Sequence, residues 1–412
     1  GGAEPRAEQG PVTGTAPLTP IQRWYFATQP DRFDQRVVLE FADDVDEPAL
    51  RRALAAVWAH HDALRLRFEQ TPRGRVQHGE PVWPAELLAD DVTFDVEHGP
   101  LLTAVLDGRR LLLAVHHLAV DGVSWRILLE DLETAYRGGE LAPKTTSYVQ
   151  WARRLAGHAA AGGFDDELAH WQALPPVPPL PADGDGPATI DGTGEVTVRL
   201  TEDETRALLR DVPDVYRTQV NDVLLAALGR VLHDWTGQAP VIDLEGHGRE
   251  DLFDGVDLSR TVGWFTSVFP VALDVPEDWG EALKAVKEQL RAVPRRGIGY
   301  GALRYLTGTA PDIDPLVSFN YLGRFDDADG GAFQTGPLDA DVDPEAPRTH
   351  ALDVVGRVTG GTLEVAWSHA TGLHDRGTVE ALAGRMLAAL REIIAHCAAP
   401  DAGGRTPSDF PL

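Results

Sequence analysis

Between residues 175 and 195 the chain runs Pro-Pro-Val-Pro-Pro-Leu-Pro-Ala-Asp-Gly-Asp-Gly-Pro and onward. This composition cannot continue a helix or a central strand, because proline lacks an amide donor and locks its own φ. The segment reads as a linker. It divides a chain of 412 residues into lobes of comparable size, residues 15–174 and 196–405, flanked by a polar tail over 1–14 and a boundary segment over 406–412. The usual domain size of about 100–200 residues fits such a division.

Each lobe carries both kinds of element. Before the linker, strand-like runs stand at 37–42, 64–68 and 109–115, with helical patterns at about 46–60, from about 123, and around 146–156. After it, the strand-like run from Glu195 leads into Thr201-Glu-Asp-Glu204, a capping-box pattern that opens a helix. Helical patterns at about 219–235, 280–292 and 377–396 then alternate with strand-like runs near 240–245, 268–274, 316–321, 352–358 and 363–368. The fold class is mixed α/β (α+β), and the lack of a short-period repeat excludes solenoids and propellers.

Composition removes several function classes. Hydrophobic residues make up 43% and charged residues 25%, ordinary values for a globular chain. A net charge of −27 argues against nucleic acid, which needs a clustered cationic surface. No window approaches the roughly 20 apolar residues that span a bilayer, and the first residues lack a signal-peptide core. A cytoplasmic protein is expected. The single cysteine, Cys397, excludes an intrachain disulfide and any multi-cysteine metal site.

Chemistry concentrates where apolar runs end. Leu111 to Val115 reads as a buried strand; His116-His117-Leu-Ala-Val-Asp121-Gly122-Val-Ser124 follows, and Trp125, Leu128, Leu129, Leu132 and Tyr136 recur at helical spacing. Two imidazoles and a carboxylate therefore stand in a strand-to-helix connection, beside the free N–H groups of a helix start near Ser124. Adjacent histidines in an extended connection point in opposite directions, which disfavours one metal ion between them. A His-His pair alone is weak evidence, since His60-His61 lies inside a helical pattern where packing and surface roles suffice. A second site candidate, Val241-Ile-Asp-Leu-Glu245-Gly-His247-Gly-Arg249-Glu250, supplies carboxylate, imidazole and guanidinium at a glycine-broken strand end. A third, Phe319-Asn320-Tyr321-Leu-Gly323, sets polar groups at the end of an apolar run. With no nucleophile elbow, phosphate loop or dinucleotide glycine pattern, proton transfer by histidine and glutamate is what remains.

Seven segments in order resemble the successive motifs of epimerization domains of nonribosomal peptide synthetases, within the condensation-domain superfamily. They are Pro20-Ile-Gln-Arg-Trp24-Tyr-Phe26, His116 to Trp125, Asn221-Asp222-Val-Leu-Leu-Ala-Ala, Glu245 to Glu250, Arg260-Thr-Val-Gly263-Trp264-Phe265-Thr266, Gly297-Ile-Gly-Tyr300-Gly and Phe319 to Gly323. The closing Thr406-Pro-Ser-Asp-Phe-Pro-Leu412 resembles the family's boundary to the next synthetase domain. Arg324 and Phe269 depart from the family's usual glutamine and tyrosine.

The resemblance implies two chloramphenicol-acetyltransferase-like lobes in a V-shaped pseudo-dimer with a tunnel at their junction. It implies inversion at Cα of an aminoacyl or peptidyl thioester, held on the 4'-phosphopantetheine arm of an upstream peptidyl carrier domain. No cofactor bound by the domain and no metal are implied, and a downstream condensation domain is a further expected partner. In that frame His117 and Glu245 take the acid/base positions. Tyr321, Asn320 and N–H groups near Gly122 to Ser124 are donors for an enolate oxygen. His116 and Asp121 support the loop, Arg249 is a candidate partner for Asp121, and Trp125 marks the epimerization branch. Two alternatives use the same fold: an amide-forming condensation domain, and a non-catalytic recruitment platform.

Overall fold

The computed structural model describes residues 7–28, 30, 32–325 and 331–411. Gly1, Gly2 and the start of the expected tail, to residue 6, lie outside the described residues, as does Leu412. The first lobe contains β1 (Gly14–Ala16), β2 (Phe33–Phe41), β3 (Leu66–Thr71), β4 (Gly74–Gly79), β5 (Leu102–Asp107) and β6 (Arg110–His116). The second part of the chain contains β7 (Thr193–Arg199), β8 (Val241–Gly246), β9 (Ser267–Ala272), β10 (Val317–Phe325), β11 (Phe333–Thr335), β12 (Asp339–Val342), β13 (Leu352–Thr359) and β14 (Thr362–Ala370). Among the described residues these form three sheets: β1-β4-β3, then β11-β2-β6-β5 with β12 also on β2, and β7-β14-β13-β10-β8-β9.

β6 is the central strand of its sheet because its apolar run has no polar face to offer. It pairs with β2 on one side and β5 on the other, and Leu111, Leu113, Ala114 and Val115 are all buried. The helices Glu47–His60 and Gly122–Tyr136 pack together in this lobe. In the other lobe the helix Val220–Thr236, buried along most of its length, packs against Arg376–Ala398.

Several expectations are corrected. Residues read as tail up to about 14 are packed from at least residue 12: Val12 is buried, its N–H donates to Asp62 at 3.1 Å, and β1 pairs with β4. β4, β5, β11 and β12 went unpredicted, being short or weakly alternating in pattern. β11 and β12 also leave the sheet of their neighbours in sequence and extend the first lobe's sheet along β2. The chain thus crosses back after the linker, and the two lobes share a strand-paired surface. The proline-rich segment is itself held down, with His374 Nε2 bonded to the carbonyl of Pro181 at 2.8 Å and the N–H of Asp183 donating to the carbonyl of Leu373 at 2.8 Å.

Candidate functional site

β6 ends at His116, and the connection that follows is short because Asp121 immediately caps the next helix. The helix begins at Gly122, with Asp121 as N-cap, one residue before its expected start at about 123. Asp121 Oδ1 accepts from the backbone N–H of Ser124 at 2.8 Å and from its hydroxyl at 2.7 Å. Ser124 is fully buried, and its N–H is consumed by the cap, so it is not a donor for a ligand.

The two histidines diverge. His116 is buried; its Nδ1 accepts from the N–H of Leu118 at 3.1 Å, and its Nε2 lies 3.4 Å from the Tyr25 hydroxyl. Burial first, and the neighbouring His117 second, push it down to about 3. It is a neutral scaffold residue. His117 instead packs against two aromatic rings that also touch each other, stacked on Phe33 at 4.9 Å and tilted against Trp264 at 4.2 Å between centroids. Its Nδ1 meets the carbonyl of Val120 at 2.8 Å. A carbonyl only accepts, so the proton sits on Nδ1 and Nε2 carries the lone pair. Burial lowers its pKa, opposed by the bond to Val120 and the charge of Asp121. At neutral pH His117 is an uncharged imidazole with its basic nitrogen held away from the backbone.

Asp121 also ties the lobes together. Arg249 donates to Asp121 Oδ1 at 2.9 Å and to the Ser124 hydroxyl at 3.0 Å, while Asp121 Oδ2 accepts the N–H of Phe265 at 3.1 Å. Both charged side chains are almost wholly buried, at 8% and 6% exposure, and the guanidinium lies over the Phe265 ring at 4.3 Å. Arg249 reaches this position because the loop after β8 turns under Gly248, whose φ is +70°. A Cβ there would fall 1.6 Å from the carbonyl oxygen of Phe265. Gly246 differs: it is still in the strand, and its missing side chain makes room for the Ser267 hydroxyl. His247 is exposed, with Nδ1 accepting from the N–H of Arg249 at 3.0 Å, and takes no part in the cluster around His117.

Glu245 stands at the end of β8. Side chains alternate along a strand, so Leu244 and Phe319 point to the core while Asp243, Glu245, Ser318 and Asn320 share the opposite face. Asn320 Nδ2 donates to Glu245 Oε2 at 2.9 Å. The Asn320 amide therefore serves the carboxylate first, a correction to its reading as a free enolate donor. Burial raises the Glu245 pKa, and the nearby Asp353 carboxylate adds to the rise. Yet the residue remains open to water. Behind it, His350 bridges Asp243 at 2.7 Å and Asp353 at 3.3 Å; burial alone would lower that imidazole, but hydrogen bonds to the two aspartates outweigh it and raise it to about 9. Tyr321 shares the core face of β10 with Phe319, opposite Asn320 and Glu245, a correction to its reading as an enolate donor; burial raises its hydroxyl.

His117 and Glu245 belong to different sheets but face one short connection. Trp264 packs on His117, and Val268 is the β-partner of Glu245. Four residue steps separate Trp264 from Val268, so their Cα atoms are at most about 14 Å apart.

Three contributors to this cluster escaped the sequence reading. Trp264 lay inside a quoted motif without a role, Phe33 precedes the expected strand start, and Gln35, which meets His117 Nε2 at 3.3 Å, does too. Trp125 is buried, and its indole N–H donates to Gln35 Oε1 at 2.9 Å. His61, read as part of a helix, is its C-cap and is buried. It bonds Asp131 at 2.6 Å, which in turn meets Arg260 of the other lobe at 2.7 Å. No helix among the described residues is long and apolar enough to cross a membrane.

Comparison with known proteins agrees with this geometry. The Condensation domain family matches residues 12–91 and 85–411. The chain is 44% identical to one polypeptide of linear gramicidin synthase and 42% identical to another, both of Brevibacillus parabrevis, over 98% and 99% of its own length. It spans only 6% and 9% of those relatives. Among solved structures, the epimerization domain from the third module of tyrocidine synthetase B is 36% identical, with a TM-score of 0.86 over 95% of this chain and 99% of that one. The fold is thus the chloramphenicol-acetyltransferase-like fold of these domains, and the chain belongs to the condensation-domain family.

Proposed function

We propose that this domain epimerizes the Cα centre of an aminoacyl or peptidyl thioester presented on the phosphopantetheine arm of a neighbouring carrier domain. The observation that carries the reading is the pairing of Glu245 with Asn320 at the solvent-exposed end of β8, in the lobe opposite a neutral His117. Amide formation needs one base for an attacking amine and gives no work to a second acid/base group such as the Glu245 carboxyl. Inversion needs two groups of this kind, one on each face of Cα. Similarity at 36% identity to a solved epimerization domain points the same way.

In the proposed reaction one group removes the α-hydrogen as a proton, and the C–H electron pair moves into the C–C(O) bond to give the thioester enolate. The other group then delivers a proton to the opposite face, restoring the carbonyl. His117 Nε2 is the accepting atom on one side, and the Glu245 carboxyl, in its protonated form, is the donor on the other. For the reverse direction the roles exchange. The N–H groups of Gly122 and Val123, which precede the capped Ser124 in the first helical turn, are the donors proposed for the enolate oxygen. His116, Asp121 and Arg249 hold the loop, and the domain itself carries the proton transfer without a bound cofactor.

The test is α-hydrogen exchange from deuterated water into an L-aminoacyl group loaded on a carrier domain. Exchange with D product is expected. His117→Ala and Glu245→Gln are each expected to slow it by about 100- to 10,000-fold, with carrier binding retained. Amide product with an acceptor and no exchange would instead assign the chain to condensation, and neither activity would leave a recruitment role.

A further inference from the structure

Trp125 contacts no candidate catalytic atom, yet it is connected to one. Its indole N–H can only donate, so the atom of Gln35 that it meets at 2.9 Å must be the amide oxygen. That choice fixes the other end of the amide. The Gln35 NH₂ is left facing His117 Nε2 at 3.3 Å, and because His117 Nδ1 already carries the proton given to Val120, the NH₂ donates to the lone pair. Gln35 can stand there because β2 pairs with β6 in a register that sets Gln35 opposite Val115 and Asp34 opposite His116.

We propose that Gln35 is a positioning residue for His117, and that Trp125 sets its orientation so that a donor, never an acceptor, faces the basic nitrogen. This rests on reading His117 as the acid/base group and adds what holds it in its basic form. A protonated Nε2 would place two donors against each other across 3.3 Å. The orientation therefore disfavours the imidazolium, and the long contact is one that an approaching substrate can displace.

Among the described residues, several other charged and titratable groups stand around His117. From its own strand and loop come His116 and Asp121, the latter paired with Arg249 across the lobes. From β2 comes Asp34, which Arg36 holds at 2.7 Å. From the helix Pro20–Thr28 comes Tyr25, against His116. None of these lies at Nε2, so a change at Gln35 alters that nitrogen directly.

The experiment is a ¹⁵N NMR titration of the full chain labelled in histidine, with His117 assigned by its loss in His117→Gln. It needs no substrate and therefore reads the positioning independently of whether the domain epimerizes. In the parent, His117 is expected as the Nδ1–H tautomer with a midpoint below the ordinary histidine value. Trp125→Phe releases the amide to turn its oxygen toward Nε2, and Gln35→Glu puts an acceptor there; both are expected to raise the midpoint by at least one pH unit. Gln35→Met removes donor and acceptor alike, and in that background Trp125→Phe is expected to add no further shift. In the exchange assay, the acid limb should move upward by the same interval in Trp125→Phe. A midpoint that stays within 0.3 units in both Trp125→Phe and Gln35→Glu, while thermal unfolding shows the variants folded, would overturn the proposal. An equal shift from Trp125→Phe with and without Gln35 would overturn it as well.

Discussion

Replacing Asp121 by alanine tests whether the lobe junction is held as described. That carboxylate serves three partners: the first turn of its helix through Ser124, the Arg249 guanidinium at 2.9 Å, and the N–H of Phe265 at 3.1 Å. Breaking a buried ion pair from one side leaves an uncompensated charge and costs about 3–5 kcal/mol. Loss of an N-cap adds about 1 kcal/mol, and an orphaned buried N–H about 1–3 kcal/mol. These contributions share one side chain and overlap, so the expected loss is about 4–6 kcal/mol, a large part of the 5–15 kcal/mol typical of a folded protein. Asp121→Asn keeps a cap but removes the charge, and about half that loss is expected. Urea denaturation followed by tryptophan fluorescence measures both, since Trp264 sits at the junction. A double-mutant cycle with Arg249→Met isolates the pair: the double variant should be less destabilised than the sum of the singles. Strict additivity, or a loss below about 1 kcal/mol for Asp121→Ala, would refute the reasoning.

Two further outcomes follow from the structure. His350, raised to about 9 by Asp243 and Asp353 against the opposing effect of burial, binds its proton more tightly folded than unfolded. Its contribution is therefore complete below the ordinary histidine value near 6.5, shrinks between there and about 9, and is gone above. Stability of the parent should fall over that interval by on the order of 2–3 kcal/mol, with a flatter profile in His350→Gln; parallel profiles would remove His350 as the cause. Gly248→Ala puts a methyl group against the Phe265 carbonyl at a positive φ, so a loss of about 1–3 kcal/mol, with altered Trp264 fluorescence, is expected by the same denaturation. A silent substitution would mean that this loop is not tightly apposed.

The limits of legibility are specific. β6 and the following helix were readable because a continuous apolar run and a 3.6-residue spacing each admit few solutions. The helix expected from about 123 begins at Gly122, one residue earlier, because Asp121 accepts the capping hydrogen bond from the N–H of Ser124. β11 and β12 were not readable at all, because their strand character comes from the open edge of β2 in the other lobe. Gln35 and Phe33 were missed for the same reason. Nothing in Phe-Asp-Gln-Arg marks neighbours of the His117 imidazole until β2 is laid beside β6.

What the residues determined unaided was the mixed α/β class and the chemical groups on offer: His117, Glu245, Asp121 and Arg249. Periodicity, backbone chemistry and functional groups are local properties and survive without a fold. Tertiary structure alone decided which of these meet. It joined Asp121 to Arg249 across 128 residues, turned Asn320 onto Glu245, and set Gln35 and Trp264 around the imidazole of His117. Such contacts depend on strand register and lobe packing, which are cooperative outcomes of the whole chain, and no short window of sequence contains them.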